Sequence, residues 1–202
     1  MHRQAGFQWL MASTLAVAAP LAQAELVVYS ATLSGAAEAP ANATPGFGTA
    51  TLTIDTLAHS MLVDVVFSGL LGNTTASHIH CCTAVADTGT AGVATQLPNF
   101  SGFPLGVTSG TYSNTFDLTL ASSWNPAFIT NHGGTPALAE LDLLAGLDGE
   151  QAYLNIHTNQ FPGGEIRGFL VRNVAEPGSL ALVGLAVGGL MHVRRRGRTF
   201  GG

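Results

Sequence analysis

The chain has 202 residues, 47% of them hydrophobic and only 9% charged, with 25 glycines, no lysine and a formal net charge of −5. That length suits one domain of ordinary size, and the composition is too apolar for a disordered chain. Only Arg167 and Arg172 fall between residues 25 and 175, against eleven acids, so this region carries −9. Such a surface has no basic patch for phosphates and excludes a nucleic-acid partner, whereas cations or a cationic partner suit it.

Residues 1–24 have a weakly basic start, an apolar middle and a small-residue ending, Ala22-Gln23-Ala24. That is the layout of a secretory signal helix, with signal peptidase cleavage expected after Ala24. Residues 29–35 and 48–55 then alternate apolar and polar, with Ala50, Leu52 and Ile54 on one face and threonines on the other. Residues 60–70 are more continuously apolar and suit a central strand, with Asp64 as the odd member. Residues 110–120 alternate again through Tyr112, Asn114, Phe116, Leu118 and Leu120. These period-two patterns predict strands. Residues 87–109 read as loop.

Residues 135–150 break the β pattern. Thr135 suits an N-cap, Pro136 suits the first helical position, and Leu138, Leu141, Leu144 and Leu147 recur at helical spacing. One short helical crossover is expected there, ended by Gly146 or Gly149. Residues 151–158 and 165–172 read as strands joined by the turn Phe161-Pro162-Gly163-Gly164, a hairpin. Many short strands with Gly-rich turns predict an all-β antiparallel, Greek-key-like sandwich or barrel.

The C-terminal region holds an apolar run, residues 180–193, followed by Arg194, Arg195, Arg196 and Arg198. As a helix the run is about 21 Å long, against roughly 30 Å of hydrocarbon, so it is a short transmembrane helix at most. The arginines favour a cytoplasmic C-terminus.

The chemistry concentrates in residues 76–83, Ala-Ser-His-Ile-His-Cys-Cys-Thr. On a strand, His78, His80 and Cys82 share one face, with Ile79 and Cys81 on the other. Two imidazoles on one face chelate copper or zinc, and His157, on another expected strand, offers a third nitrogen. The metal candidates are therefore His78, His80, His157 and Cys82. Structural hydrogen bonding is the competing role for these histidines. Cys81 and Cys82 are the chain's two cysteines. A vicinal disulfide, an intermolecular bridge and thiolate ligation of a metal are all open to them. Glu165 and Arg167 share a strand face and are candidates for a structural ion pair, with Glu38 as the other acidic partner considered for Arg167. No nucleophile elbow or phosphate-binding loop is present, so no catalytic residue is assigned.

Two resemblances complete the reading. Glu176, Pro177 and Gly178, then the apolar span, then Arg194, Arg195 and Arg196 resemble the PEP-CTERM sorting tail of Gram-negative bacteria, with Ala175 in place of its first proline. The resemblance covers roughly the last 25 residues. It implies an exosortase-like processing enzyme, transient anchoring in the inner membrane, and release to the cell surface or an exopolysaccharide matrix. Leu33-Ser34-Gly35 with Glu38 and Pro40, Gly48, His78 with His80, and Asn155-Ile156-His157-Thr158 followed by Pro162-Gly163-Gly164-Glu165-Ile166-Arg167-Gly168 resemble the CHRD domain across residues 26–172. That likeness implies an immunoglobulin-like or superoxide-dismutase-like sandwich and no established enzymatic activity. The His78/His80 spacing is similar to that of copper-zinc superoxide dismutases, but a second such pair is absent.

The expected organisation is a signal peptide at 1–24, a CHRD-like domain at 25–173 and a sorting tail at 174–202. The expected function is a non-enzymatic binding or structural module, exported to the cell surface or extracellular matrix, with extracellular polysaccharide as a partner. The alternative is a copper- or zinc-binding exported domain with redox activity.

Overall fold

The computed structural model describes residues 26–173. The signal peptide, the motif Glu176, Pro177, Gly178 and the basic end at Arg194, Arg195 and Arg196 lie outside the described residues. Among those described, no helix is long and apolar enough to cross a membrane.

The described chain is mostly β and wholly antiparallel in its strand pairing. Its strands are β1 (Leu26–Ser34), β2 (Phe47–Asp55), β3 (Ser60–Ser68), β4 (Thr74–His80), β5 (Gly110–Asp117), β6 (Tyr153–Thr158), β7 (Ile166–Phe169) and β8 (Val171–Arg172). They form one sheet in the order β4-β6-β7-β1-β2-β3-β5, with β8 also on β1. The two layers of the expected sandwich are thus two parts of one curled sheet. β1 joins them: it pairs with β2 along nine residues but meets β7 only at Ser34↔Arg167.

Alternation decides which residues enter the core. Along β2, Gly48, Ala50, Leu52 and Ile54 are buried; along β3, Met61, Val63, Val65 and Phe67 are. The continuously apolar reading of β3 resolves into a half-buried strand, because Asp64 and the exposed Val66 sit on its outer face. One hydrophobic cluster runs from these residues through Ile79 on β4 to Leu154 and Ile156 on β6 and Ile166 on β7. Burying such side chains contributes about 1.5–3 kcal/mol each.

The helical crossover is α2 (Pro136–Asp148), capped by the Thr135 side chain accepting from the Leu138 amide. Its buried face is Ala139, Glu140, Leu143, Gly146 and Leu147, while Leu138 and Leu141 are exposed. A three-residue spacing drifts by about 60° per step on a 3.6-residue helix, so the four leucines cannot line one face. A second helix, α1 (Pro126–Asn131), precedes it. Its signal is Asn125-Pro126, where the Asn125 side chain accepts from the Ala127 amide. Hydrogen bonds from Tyr29 Oη to Asp148 (2.7 Å) and between His59 Nδ1 and Glu140 (2.9 Å) tie α2 to the sheet.

Candidate metal centre

β4 and β6 pair in a register that sets His78 opposite Asn155, His80 opposite Tyr153 and Ala76 opposite His157. Ser77 and Ile79 take the core face of β4, so His78 and His80 point to the other face. That face is not open to water. Residues between β4 and β5 run back along the edge of β4, with bonds from Cys81 N to Gly92 O and from Ala94 N to Ile79 O, and bring the carbonyls of Ala91 and Pro98 to the histidines. His78 and His80 are buried and His157 half-buried.

The three rings gather into one cluster. His157 lies 5.4 Å from His78 and 5.7 Å from His80, centroid to centroid, and His78 lies 5.9 Å from His80. One nitrogen from each falls within 4.8 Å of the other two. Donors around a tetrahedral ion with bonds of about 2.0–2.1 Å stand roughly 3.3 Å apart, so modest ring rotations close the shell.

Each ring is held by its other nitrogen. His78 Nε2 donates to Pro98 O (2.7 Å), His80 Nδ1 to Ala91 O (2.9 Å) and His157 Nδ1 to Pro162 O (2.9 Å). A carbonyl oxygen only accepts, so these nitrogens carry the hydrogen and the opposite ones carry lone pairs. Those opposite atoms, His78 Nδ1, His80 Nε2 and His157 Nε2, are buried and have no hydrogen-bond partner. Pinning one imidazole nitrogen on a backbone carbonyl fixes the tautomer and aims the other at an ion, as in known metal sites.

Electrostatics keeps the rings neutral. Burial pushes all three histidines below the ordinary range, against the pull of the accepting carbonyls. His80 falls to about 4, with His157, His78 and Arg167 adding repulsion to the burial. Neutral imidazole is the ligating form. His80 also stacks on Tyr153 at 4.9 Å, and the Arg167 guanidinium carbon lies over the same Tyr153 ring, 4.6 Å from its centroid.

The same face collects every buried side-chain polar atom without a partner among the described residues: Glu38 Oε1 and Asn155 Oδ1 join the three histidine nitrogens. A native interior leaves few such atoms, and each costs about 1–3 kcal/mol if nothing satisfies it. The three imidazole lone pairs call for a cation or hydrogen donors.

Two expected assignments need correction. Cys82 does not join the histidines. β4 ends at His80, so the alternation that would align Cys82 with them stops, and its Sγ is bonded to that of Cys81. Both sulfurs lie against Gly146 of α2, where an added Cβ would overlap them. Nor does Glu165 pair with Arg167. Glu165 sits just before β7, and its carboxylate accepts from Thr44 Oγ1 (2.6 Å), Leu71 N (2.6 Å), Gly72 N (3.0 Å) and Thr158 Oγ1 (2.8 Å). Arg167 instead faces Glu38, Nε to Oε2 3.9 Å, and donates to the carbonyls of Ala37 (2.5 Å) and Gly89 (2.9 Å).

The holding carbonyls of Ala91, Pro98 and Pro162 carry no side-chain signature in the sequence. Asn155 and Tyr153 were within reach of it, because period two places both on the His157 face of β6.

The family model of the CHRD domain matches residues 29–170. No curated protein and no solved structure matches.

Proposed function

Because the chain belongs to the CHRD domain family, whose fold here supports a buried three-histidine cluster, we propose that it is an exported, non-enzymatic binding domain that holds a copper or zinc ion on His78, His80 and His157. The observation that carries the metal is the trio of converging, unpartnered lone pairs, each fixed by a backbone carbonyl on the far side of its ring. Three neutral imidazoles suit copper and zinc and leave a fourth position for water or a ligand. Elemental analysis of the purified chain tests this. About one equivalent of copper or zinc is expected, removed by chelator with a fall in melting temperature. A metal-free protein whose stability ignores both chelator and added ion would overturn it.

Export rests on the sequence: the signal layout of residues 1–24 and the sorting-tail resemblance at 174–202, with a signal peptidase, an exosortase-like enzyme and the inner membrane as processing partners. The charge of −9 on the central region and its lack of lysine support a role outside the cytosol, at the cell surface or in a polysaccharide matrix. Cell fractionation with N-terminal sequencing checks it: mature chain beginning near Glu25 is expected in an exported fraction. Chain retaining Met1 and found only in the cytoplasm would refute export.

A further inference from the structure

Four exposed leucines stand at one end of the sheet: Leu26 (62% exposed), Leu57 (60%), Leu120 (51%) and Leu141 (60%). Leu26 opens β1, opposite Asp55 at the end of β2. Leu57 follows in the β2–β3 turn, its amide donating to Asp55 Oδ1 (3.0 Å). His59 of the same turn accepts at its carbonyl from Leu118 N, two residues before Leu120. Its ring bonds Glu140, the neighbour of Leu141 on α2.

The chain leaves the described residues at this same end. β8 runs antiparallel to β1, with Val171 opposite Ser30 and Arg172 opposite Tyr29. Asn173 N then donates to Val28 O (2.7 Å), so the chain is heading towards Leu26. Arg172 also reaches Asp148, at the C-terminal end of α2 (3.2 Å). Seven residues after Asn173 the sequence enters its apolar run, 180–193. Seven residues span at most about 25 Å, so that run starts close to the four leucines. Phe47 and Leu71 are exposed too, but at the opposite end of the sheet, where the chain does not exit.

Grouped exposed apolar side chains mark a protein or membrane surface. A chain held in a bilayer by residues 180–193 has that bilayer within reach of this end. The run is about 21 Å long as a helix, against roughly 30 Å of hydrocarbon, so it leaves little slack to hold the domain away. The charges at this end do not attract anionic headgroups. Asp55 and Asp117 are acids that cap turn amides, and Arg172 is already engaged by Asp148. Contact therefore falls to the leucines, on a zwitterionic surface. We propose that this end of the domain is a membrane-contact face, with Leu26, Leu57, Leu120 and Leu141 dipping into the interface of a zwitterionic lipid leaflet. The proposal rests on the reading of residues 174–202 as a membrane anchor.

The test uses the exported chain with residues 174–202 intact, reconstituted into phosphatidylcholine vesicles. A nitroxide is placed in turn at Leu57→Cys, Leu120→Cys and Leu141→Cys, with Phe47→Cys as the opposite-end control and Leu185→Cys as the anchor control. The native cysteines are bonded to each other and take no label. Relaxation by lipid-soluble oxygen and by water-soluble chromium oxalate reports depth. The three leucine labels are expected about 5–10 Å inside the headgroup boundary, with chromium oxalate access lost, while Phe47 stays in water. Leu26→Asp combined with Leu120→Asp, both at exposed positions, should return the Leu57 label to water and leave Leu185 in lipid. A Leu185 label in water would overturn the anchor reading and this proposal with it. A Leu185 label in lipid, with the leucine labels as open to chromium oxalate as Phe47, would overturn this proposal alone. Dipolar broadening between Leu141 labels on two molecules would also overturn it, assigning the face to a second copy of the chain.

Discussion

His78 and His157 stand 79 positions apart in sequence and 5.4 Å apart in space, their rings inclined at 66°. The antiparallel pairing of β4 with β6 makes this contact, one register step diagonal from the pair His78↔Asn155. What turns the contact into a candidate site is the carbonyl behind each ring, Pro98 for one and Pro162 for the other.

The first prediction concerns that cluster. His157 is the most accessible of the three, so His157→Ala should fold while losing a ligand. Loss of an orienting partner alone typically costs 10–100-fold in metal affinity, and loss of a ligand should cost more than about 100-fold. Thermal unfolding provides the readout. Copper or zinc at 100 times its Kd should stabilise the parent chain by about 2.7 kcal/mol and the variant by less than about 0.4 kcal/mol. Equal stabilisation of both would place the ion elsewhere.

Glu165 is predicted to be a stability residue. Burial works to raise its pKa, but the bonds from Thr44, Leu71, Thr158 and Gly72 outweigh it and hold the carboxyl below its ordinary 4.5. A depressed carboxylate contributes stability above its unfolded pKa and loses it as pH falls through the folded one. Glu165→Ala strands two amides, of Leu71 and Gly72, and two hydroxyls, of Thr44 and Thr158, at a cost of about 3 kcal/mol. Urea unfolding should find the parent weakening in acid and the variant both weaker at neutral pH and flatter in acid. A variant as stable as the parent at pH 7 would contradict this.

Glu38 should behave in the opposite sense. Burial raises its pKa from 4.5 to about 7, with Arg167, the Ala39 amide and Asn155 pulling the other way. A raised carboxyl binds its proton more tightly when folded, so the Glu38 contribution to stability falls as pH climbs from about 4.5 to 7 and then levels. A shift of that size is worth about 3 kcal/mol. Glu38→Gln should remove this contribution, leaving the opposite slope from His78, His80 and His157, whose pKa values burial lowers below 6.5. Unfolding free energy measured at intervals across that range decides it; an unchanged slope in the variant would assign it to another group.

Gly146 is predicted to be intolerant of a side chain. Its added Cβ would overlap the sulfurs of both Cys81 and Cys82. Overpacking of this kind costs about 1–3 kcal/mol, so Gly146→Ala should destabilise despite the better helix propensity of alanine. A double-mutant cycle with Cys82→Ala should recover a substantial part of the loss. Additive effects would mean that the sulfurs and the helix do not constrain each other.

Much of this was legible in local pattern. Thr135 and Pro136 announced α2, Phe161-Pro162-Gly163-Gly164 announced the β6–β7 hairpin, and the alternating residues of β2 and β5 placed their own core faces. The histidine pair was legible because a strand's two-residue period is local. Other features depend on where strands stop and which loops cover them. Cys82 leaves the histidine face because β4 ends at His80. Arg167 finds Glu38 across the sheet, while its near neighbour Glu165 is taken up by amides from the segment after β3. The carbonyls that set each histidine tautomer belong to loops whose path no residue pattern encodes.

The most direct test of the central claim is X-ray absorption at the metal edge of the chain loaded with one equivalent of copper or zinc. The geometry predicts three imidazole nitrogens at about 2.0–2.1 Å, one from each of His78, His80 and His157, and no sulfur. A scatterer at about 2.3 Å would return Cys82 to the shell, and fewer than three imidazoles, or no stoichiometric ion to measure, would contradict the three-histidine site.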